Sequence, residues 1–471
     1  MNTLMEERVP LSFGDLARVV GGRIVGGSAA APIGGVSIDS RALGPGDLFV
    51  AIRGDRFDGH RFVNEAVSAG AVGALVSDES ALEPSLAAVG VVVDDTLRAL
   101  QVLSQHVRRA SGARVVAITG SVGKTTTKEL TAEALGARYR VFRSHGNFNN
   151  HIGVPLSLLE LRTRPEVAVI EFGMNASGEI RRLVEIAEPD LRVWTNVAEV
   201  HSEFFESIEA IADAKAEILE GATKETVTVA NGDDHRVMGR VVGVPGRLAT
   251  FGASANADVM ATEVDDLGLD GTRAAVRTPV GSISVTTPLL GRGNLANVLA
   301  AITVALQLHI SPTEAAARVA AFGAPPGRGQ IHRLARGVLV VDDSYNANPL
   351  AVKTALRAVA GDRRLGRRVA VLGEMLELGR RAEALHRDTG RAAAAAGFGL
   401  LVTVGGAFAK ALGEAAVEAG LAADSVKHYD DSNAAATNLA GLLRNDDVVL
   451  IKGSRGVQTD RVVNRVVGEW A

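Results

Sequence analysis

The chain of 471 residues contains no cysteine. Disulfide bonds and thiolate metal sites are therefore excluded, and a reducing compartment is permitted without being required. Hydrophobic residues make up 47% of the chain and charged residues 22%. These proportions are ordinary for globular proteins, so a mostly disordered chain is excluded as well.

The sequence also lacks a strong excess of charge and a long apolar run. A net charge of -4 and a pI near 6.2 give no electrostatic reason to expect nucleic acid or an anionic membrane as a partner. No run approaches the ~18 apolar residues that a membrane-spanning helix needs. The first twenty residues carry Glu6, Glu7 and Asp15 and do not resemble a signal peptide. We expect a cytoplasmic protein without membrane insertion.

The length exceeds what one hydrophobic core supports, and the patterns predict three α/β domains. A polar stretch around Arg108 to Gly112 separates the first unit from the second, and the segment Ala324–Gly329, rich in Pro and Gly, reads as a linker. We therefore expect domains at residues 1–108, 109–323 and 324–471. The alternation of strands and helices predicts a mostly parallel sheet in the central domain and a smaller, Rossmann-like third domain.

Three apolar segments of the central domain read as parallel strands: Arg114–Thr119, Val167–Glu171 and Arg192–Asn196. Ligands bind at the carboxyl ends of such strands, so Glu171 and Asn196 should lie near the turn that follows the first strand. Three later segments, 227–230, 273–277 and 282–286, are expected to be antiparallel additions to the sheet.

That turn carries the most informative residues of the chain. Gly120 and Gly123 allow a tight turn, and Lys124, Thr125 and Thr126 open a helical pattern. A helix that begins behind a glycine-rich turn points backbone N–H groups at one place, which suits a phosphate group. Lys124 would reach the outer phosphates, and the Thr125 hydroxyl is placed to bind Mg²⁺. We expect a nucleoside triphosphate, ATP or GTP, to bind here.

Lys215 occupies an unusual position in the helical stretch 207–220. It lies on the apolar stripe marked by Ile208, Ile211 and Ile218. An unpaired ammonium costs several kcal/mol to bury, so three alternatives exist for this side chain. It reaches solvent, pairs with an acid, or is carbamylated by CO₂ to an anion able to hold Mg²⁺. The pattern alone favours the first two.

Two further positions are candidates for chemistry. His201 follows the strand end at Asn196 by five residues, where a structural role and a metal role are both open. Asp342 and Asp343 close an apolar strand, so one acid could bind a ribose or a metal and the other could simply be solvated.

Taken together, these residues resemble the Mur ligase family, whose members use ATP to join amino acids or peptides to UDP-linked muramic acid precursors. The resemblance spans nearly the whole chain and is greatest to the ligases that add D-alanyl-D-alanine to UDP-N-acetylmuramoyl-tripeptide. The segments that carry it share glycine, asparagine and charged residues in family-like order: 38–41, 57–60, 119–126, 146–155, 171–175, 342–349 and 452–456.

The resemblance implies roles for matching positions. The residues that would contact ATP are Gly120, Ser121, Val122, Gly123, Lys124, Thr125, Thr126, Asn294, Asn297, Arg328 and Asp343. Thr125 and Glu171 would bind a first Mg²⁺ and His201 a second, and Lys215 matches the lysine that becomes carbamylated in the family. Lys124, Lys215 and His201 would be catalytic, while Ser40 and Arg41 would contact the UDP part in a UDP-binding first domain.

The activity implied is ATP-dependent ligation through an acyl phosphate, by a monomer acting on UDP-MurNAc-tripeptide and D-Ala-D-Ala. A sister ligase that adds a single amino acid is the nearest alternative. The diaminopimelate-adding enzymes typically carry Asp-Asn-Pro-Arg, which this chain lacks. A P-loop switch is a more distant alternative, disfavoured because no Asn-Lys-x-Asp guanine-reading motif occurs.

Overall fold

A computed structural model describes residues 8–54, 57–82, 88–199, 203, 205–362 and 366–470. The chain forms two compact units. The first comprises Met1–Thr119, Arg138–Arg192 and Glu217–Thr226, and the second comprises Gly120–Ala137, Val193–Ala216 and Val227–Ala471. Among the described residues, no helix is both long and apolar enough to cross a membrane.

The elements of the described residues alternate along most of the chain. The strands are β1 (Arg23–Val25), β2 (Val36–Ser37), β3 (Leu48–Val50), β4 (Gly73–Val76), β5 (Val89–Val92), β6 (Arg114–Thr119), β7 (Val141–Arg143), β8 (Val167–Glu171), β9 (Leu191–Trp194), β10 (Val227–Asn231), β11 (Arg247–Gly252), β12 (Val259–Asp266), β13 (Thr272–Thr278), β14 (Gly281–Thr287), β15 (Gln330–Arg333), β16 (Leu339–Asp343), β17 (Arg368–Gly373), β18 (Leu400–Val404), β19 (Val426–Tyr429) and β20 (Val448–Lys452). The α-helices are α1 (Phe13–Val20), α2 (Val63–Ser68), α3 (Thr96–Ser111), α4 (Lys124–Leu135), α5 (Gly153–Leu159), α6 (Glu179–Ala187), α7 (Ile208–Ala216), α8 (His235–Val241), α9 (Gly291–Gln307), α10 (Pro312–Ala320), α11 (Pro349–Ala360), α12 (Ala382–Ala395), α13 (Ala407–Glu418), α14 (Ser432–Leu439) and α15 (Asp460–Trp470).

The first unit begins with a five-stranded sheet in the order β1-β5-β4-β3-β2. Strands β2 to β5 pair in parallel and β1 is antiparallel to β5. Further along the chain, β8 pairs in parallel with both β6 and β7. All five residues of β8 are buried, as expected for a strand covered on both faces. The predicted strands Arg114–Thr119 and Val167–Glu171 are confirmed with their exact bounds.

In the second unit, β10, β11 and β12 pair in parallel, and β12, β13 and β14 pair antiparallel. The antiparallel prediction is correct for segments 273–277 and 282–286 and wrong for 227–230. The reason is α8, which connects β10 to β11 and makes a strand-helix-strand crossover, a connection that returns the chain parallel to its start. Helix α9 packs against α4, the helix that follows the glycine-rich turn.

The C-terminal sheet of the second unit has the order β15-β16-β20-β17-β18-β19. Only the β15–β16 pair is antiparallel among these described strands. Alternate residues of the strands enter two separate apolar clusters, with Leu372 and Leu450 in one and Val371 and Ile451 in the other. Both faces of the sheet are therefore covered, which confirms the predicted Rossmann-like α/β arrangement.

The predicted domain boundaries stay predictions. Residue 108 lies inside α3, which continues to Ser111, and the segment 324–329 lies between α10 and β15.

Arg162 is a buried arginine that joins two parts of the first unit. Its side chain is 8% exposed, and its guanidinium donates hydrogen bonds to the carbonyl oxygens of Val9, Ile33 and Gly34 at 3.0, 2.8 and 3.1 Å. The backbone carbonyl of Arg162 also accepts from the Val9 N–H at 2.8 Å. The planar guanidinium thus donates to three carbonyls at once, which a lysine cannot do with the same geometry.

We expect Arg162→Ala to lower the free energy of unfolding by about 3 kcal/mol, because three carbonyls lose a charged donor. Arg23→Ala is the matched control, since Arg23 forms an exposed ion pair with Glu79, and its loss should cost less than about 1 kcal/mol. Urea denaturation of both variants measures the difference. Equal losses in the two variants would contradict this role for Arg162.

Candidate active site

The turn between β6 and α4 requires glycine at two positions. Gly120 has φ 153° and Gly123 has φ 84°. A Cβ at Gly120 would lie 1.9 Å from Thr195 Oγ1, and one at Gly123 would lie 2.4 Å from Asn297 Oδ1. Both positions are therefore closed to larger residues by packing and by backbone conformation. We call residues 120–126 the phosphate loop.

The start of α4 provides the positive end of a helix. Its first intrahelical hydrogen bond runs from the Thr127 N–H to the Gly123 carbonyl at 2.8 Å. The N–H groups of Lys124, Thr125 and Thr126 precede that bond and share the partial positive charge of the helix N-terminus. The Lys124 ammonium folds over the loop and donates to the Gly120 carbonyl at 2.9 Å. An anion is the ligand that this concentration of positive charge favours.

The segment after β9 holds the phosphate loop from one side. Asn196 Oδ1 accepts from the Val122 N–H, and Asn196 Nδ2 donates to the Val122 carbonyl, both at 2.9 Å. The Ser121 N–H donates to the Asn196 carbonyl at 3.0 Å. The prediction that Asn196 lies near the loop is confirmed, although β9 ends earlier than predicted, at Trp194.

Asn294 and Asn297 approach the loop from α9. Asn297 is buried, and its Oδ1 accepts from the Thr127 hydroxyl at 3.2 Å while its Nδ2 donates to Asn294 Oδ1 at 3.0 Å. Asn294 Nδ2 in turn donates to the Leu290 carbonyl at 2.9 Å. The structure thus brings both predicted asparagines to the base of the phosphate loop, where they brace Gly123 and Thr127.

Lys215 lies in α7 and is 2% exposed. Burial, reinforced by repulsion from the Lys124 charge, lowers the pKa of its ammonium well below the ordinary value. No carboxylate of the described residues pairs with it. Of the three alternatives that the sequence left open, contact with solvent is almost absent, and pairing with an acid is absent within the described part of the chain. His201, the other predicted catalytic side chain of this region, lies outside the described residues.

Glu171 belongs to the first unit. It is the last residue of β8 and pairs in register with Ile118, two residues before the phosphate loop begins. Its carboxylate is 3% exposed and accepts from Asn149 Nδ2 at 2.8 Å. Hydrogen bonds of this kind orient the carboxylates that bind metals in proteins.

A second cluster lies at the strand ends of the C-terminal sheet. Lys452, 4% exposed, donates to Asp343 Oδ2 at 2.6 Å and to the Asn346 carbonyl at 2.8 Å. Burial raises the pKa of Asp343 above its usual value, and the charges of Lys452 and Arg328 oppose that rise. The Arg328 guanidinium stacks on the Tyr345 ring with its carbon 4.2 Å from the ring centre. The structure brings the predicted residues Arg328 and Asp343 together here.

The neighbouring acid, Asp342, accepts hydrogen bonds from the backbone of two loops. Its carboxylate accepts from the Ser344 N–H at 3.1 Å and from the Gly327 N–H at 3.2 Å. These bonds fix the loop that carries Arg328 against the end of β16. Of the two acids that the sequence could not separate, Asp342 shapes the loop and Asp343 forms the ion pair.

Ser40 and Arg41 lie in a short 3-10 helix of the first unit, Ser40–Ala42. The Ser40 hydroxyl donates to Glu65 Oε1 at 3.0 Å, and the exposed Arg41 guanidinium holds the Asp39 carboxylate through bonds of 2.9 and 2.8 Å. The Arg41 hydrogen bonds lower the pKa of Asp39 to about 2. This pair is far from the phosphate loop in the sequence and lies between β2 and β3 of the first unit.

Sequence reasoning missed the partners that hold these residues. Asn149 and Lys452 lie in segments that resemble the family, but the sequence does not show what they contact. The pairs Asn149–Glu171 and Lys452–Asp343 join positions that are distant in the chain. The one signal in the sequence is that Lys452 closes an apolar strand, where a lysine needs an acidic partner if it is buried. Within the described residues, no group of three or more His, Asp or Glu forms a ready metal site.

Comparison with known protein families gives three matches that together span most of the chain. Residues 32–117 match the Mur ligase family catalytic domain, residues 118–305 the Mur ligase middle domain, and residues 327–455 the Mur ligase glutamate ligase domain. The chain belongs to the Mur ligase family. The phosphate loop and α9 lie in the matched middle domain, and the Asp343–Lys452 pair lies in the matched C-terminal domain.

Two relatives of this Mur ligase share one name. The UDP-N-acetylmuramoyl-tripeptide–D-alanyl-D-alanine ligase of Escherichia coli K12 is 36% identical and the alignment covers 97% of this chain and 98% of the relative. The enzyme of that name from Bacillus subtilis 168 is 34% identical, with 92% and 93% covered.

Solved structures extend the likeness to three dimensions. A crystal structure of MurF from Acinetobacter baumannii is 29% identical with a TM-score of 0.86, and 98% of this chain and 100% of that chain are covered. MurF of Thermotoga maritima in complex with ADP is 29% identical with a TM-score of 0.80, with 92% and 97% covered.

The environment of Lys215 predicts an unusual dependence of stability on pH. Because its folded pKa is depressed, the unfolded chain binds the extra proton at every pH between the folded value and ~10.4. The free energy of unfolding of the unmodified protein should therefore rise with pH in that window, by at most about 1.4 kcal/mol per unit from this group.

Lys215→Met removes the titrating group, so it should be more stable than the parent at pH 7, with an advantage that shrinks towards pH 9. Urea denaturation in buffer freed of CO₂ and Mg²⁺ measures this difference. Lys224→Met is the control, because Lys224 is 90% exposed. A constant difference between parent and Lys215→Met across the pH range would refute the buried, neutral amine.

Proposed function

We propose that this Mur ligase uses ATP to join D-alanyl-D-alanine to UDP-N-acetylmuramoyl-tripeptide, forming the UDP-MurNAc-pentapeptide precursor of peptidoglycan. The observation that carries the proposal is the phosphate loop with Lys124 folded over it. It stands in a chain whose relatives of that name align over more than nine-tenths of its length. ATP is the phosphate donor because amide formation from a carboxylate needs an activated leaving group.

The residues of the site fit a nucleoside triphosphate. The N–H groups at the start of α4 and the Lys124 ammonium supply the positive charge that phosphates require. We assign the phosphates to residues 120–126, and we assign Asn294, Asn297, Arg328 and Asp343 to the rest of the nucleotide. Support for the last pair comes from the C-terminal cluster, where Arg328 and Asp343 lie in one charged group with Lys452.

We propose Mg²⁺ as the metal ion of the reaction, since it prefers oxygen ligands. We assign Thr125 and Glu171 to a first Mg²⁺, and His201 and carbamylated Lys215 to a second. The buried Glu171 carboxylate with its Asn149 hydrogen bond is the observation that supports a hard cation. Bound Mg²⁺ would neutralise the charge of the phosphates and of the attacking carboxylate.

The lowered pKa of Lys215 favours carbamylation of its amine. A neutral amine has the lone pair that attacks the carbon of CO₂, and the N–C bond forms as one proton leaves to solvent. The product is an anion on the side chain. Burial of the ammonium and repulsion from Lys124 lower the pKa of Lys215, which favours the reactive neutral amine over the ammonium.

The chemistry needs two steps. The terminal carboxylate of the tripeptide attacks the γ-phosphorus of ATP, ADP leaves, and an acyl phosphate forms. The amine of D-Ala-D-Ala then attacks the carbonyl carbon, and the tetrahedral intermediate expels phosphate to leave the amide. Lys124 and the helix N-terminus stabilise the negative charge of the first step. Exclusion of water protects the acyl phosphate, and we assign that task to closure of the C-terminal domain.

The remaining assignments concern the UDP part of the substrate, the oligomeric state, the localisation and the partners. We assign Ser40 and Arg41 to the UDP part, propose a monomer in the cytoplasm, and expect no nucleic acid partner. The single-amino-acid sister ligase has less support, because a solved diaminopimelate ligase is 19% identical with a TM-score of 0.54, which shows the shared fold alone.

The decisive assay is phosphate release from ATP with UDP-MurNAc-tripeptide, in the presence of D-Ala-D-Ala or of single amino acids. We expect phosphate release and pentapeptide formation when D-Ala-D-Ala is added, and neither when a single amino acid replaces it. Lys124→Ala should lower turnover by ~10²–10³-fold, the usual effect of removing one preorganised charge contact, while the exposed Lys224→Ala remains active. Turnover with a single amino acid in place of the dipeptide would establish the sister activity instead.

Carbamylation of Lys215 has its own test. Lys215→Ala should be nearly inactive, and acetate should restore part of the activity by placing a carboxylate in the vacated space. Lys215→Arg should not be rescued, since it keeps the positive charge and fills that space. In the parent, ¹³CO₂ should give a carbamate signal by NMR that Lys215→Ala lacks. An unmodified lysine in the active, Mg²⁺-loaded protein would rule the carbamate out.

A further inference from the structure

The phosphate loop is held by a side chain to which the preceding sections assign no catalytic role. Asn196 engages both backbone groups of Val122, accepting from its N–H and donating to its carbonyl, each at 2.9 Å. The Thr195 hydroxyl donates to the same carbonyl at 2.9 Å. The backbone of Val122 is therefore saturated by residues 195–196 before any ligand arrives.

Ser121 is held in the same way. Its N–H donates to the Asn196 carbonyl at 3.0 Å, its hydroxyl donates to the Ala198 carbonyl at 3.1 Å, and the Ala198 N–H donates back to that hydroxyl at 2.9 Å. Neither the Ser121 N–H nor the Val122 N–H is then a donor for a phosphate oxygen. Within residues 121–126, the N–H groups left for phosphate oxygens are those from Gly123 onward.

We propose that Asn196 is a positioning residue for nucleotide phosphates, which fixes the first half of the phosphate loop so that the N–H groups from Gly123 onward converge on the ligand. The inference rests on the proposed function, since it takes the ligand to be the phosphates of ATP. Asn196 acts through the backbone of Val122 and needs no contact with the nucleotide.

An asparagine suits this task for a chemical reason. A carboxamide presents one acceptor and two donors on the same planar group, so it can pair with the N–H and the carbonyl of one residue. An aspartate offers only acceptors and would face the Val122 carbonyl with a negative charge. Alanine would leave both groups of Val122 without these partners.

The segment that carries Asn196 is itself braced. Asn231 Nδ2 donates to the Thr195 carbonyl at 2.8 Å, and Asp234 Oδ2 accepts from the Val197 N–H at 2.7 Å. Asn231 therefore supports the same segment without reaching the phosphate loop, which makes Asn231→Ala a matched control for a purely structural effect.

The experiment titrates ADP into the full-length protein with Mg²⁺ by isothermal calorimetry. Asn196→Ala should raise the Kd of ADP about tenfold, the effect of two lost hydrogen bonds of ordinary strength. Asn231→Ala should leave it within twofold even if both variants lose the same thermal stability. In the ligation assay, Asn196→Ala should raise the KM of ATP and leave the KM of D-Ala-D-Ala unchanged.

Asn196→Asp is the second variant, because it keeps the size of the side chain. It retains the acceptor for the Val122 N–H and loses the donor, so we expect a folded protein that binds ADP at least as weakly as Asn196→Ala. ADP binding of parental strength in this variant, or equal ADP loss in Asn196→Ala and Asn231→Ala, would overturn the positioning role.

Lys124→Ala separates this inference from the proposed function. If Lys124→Ala abolishes ADP binding while the Asn196 variants bind normally, the loop binds nucleotide and only the role of Asn196 is wrong. If the parent protein itself does not bind ADP, the proposed function fails and the inference fails with it.

Discussion

A phosphate loop has to hold several backbone N–H groups in one direction while no phosphate is there to hold them. Parallel dipoles and like partial charges repel, so the conformation must be fixed from outside the loop. Here Asn196 fixes Val122 from one side, and Asn297 fixes the region of Gly123 and Thr127 from the other. The two glycines leave no room for a side chain at either contact. The rest of the site depends on this arrangement, because Lys124 and the start of α4 take their positions from it.

The second constraint is the placement of two lysines, Lys124 and Lys215, close enough for their charges to interact. Lys124 is folded onto the Gly120 carbonyl, where we propose that it binds the phosphates. Lys215 is buried near enough for the Lys124 charge to lower its pKa further. A second ammonium would add repulsion, whereas a neutral amine removes it and a carbamate reverses its sign. The electrostatic cost of a buried ammonium at Lys215, near the part-buried Lys124, thus favours the modification that the proposed mechanism uses.

The C-terminal sheet contributes a different kind of charged group. The Asp343–Lys452 ion pair joins the ends of β16 and β20, which are neighbours in the sheet, and Arg328 adds a third charge from the preceding loop. Asp342 fixes that loop through the Gly327 N–H. The phosphate loop of the matched middle domain follows β6, and the Asp343–Lys452 pair of the matched C-terminal domain closes β16 and β20. Both therefore lie at the ends of parallel strands, the position where α/β sheets generally bind ligands.

The sequence by itself determined the fold class, the bounds of β6 and β8, the phosphate loop and the family, because periodic apolar runs and glycine turns are local signals. It could not decide the direction of β10, which depends on the crossover through α8. It could not choose among the fates of Lys215, because burial and the absence of a described acid partner are properties of the packed chain. It could not separate Asp342 from Asp343 or assign Asn196 to Val122. These contacts join residues that are far apart in sequence or that face opposite ways from one strand end, and only tertiary structure brings such partners together.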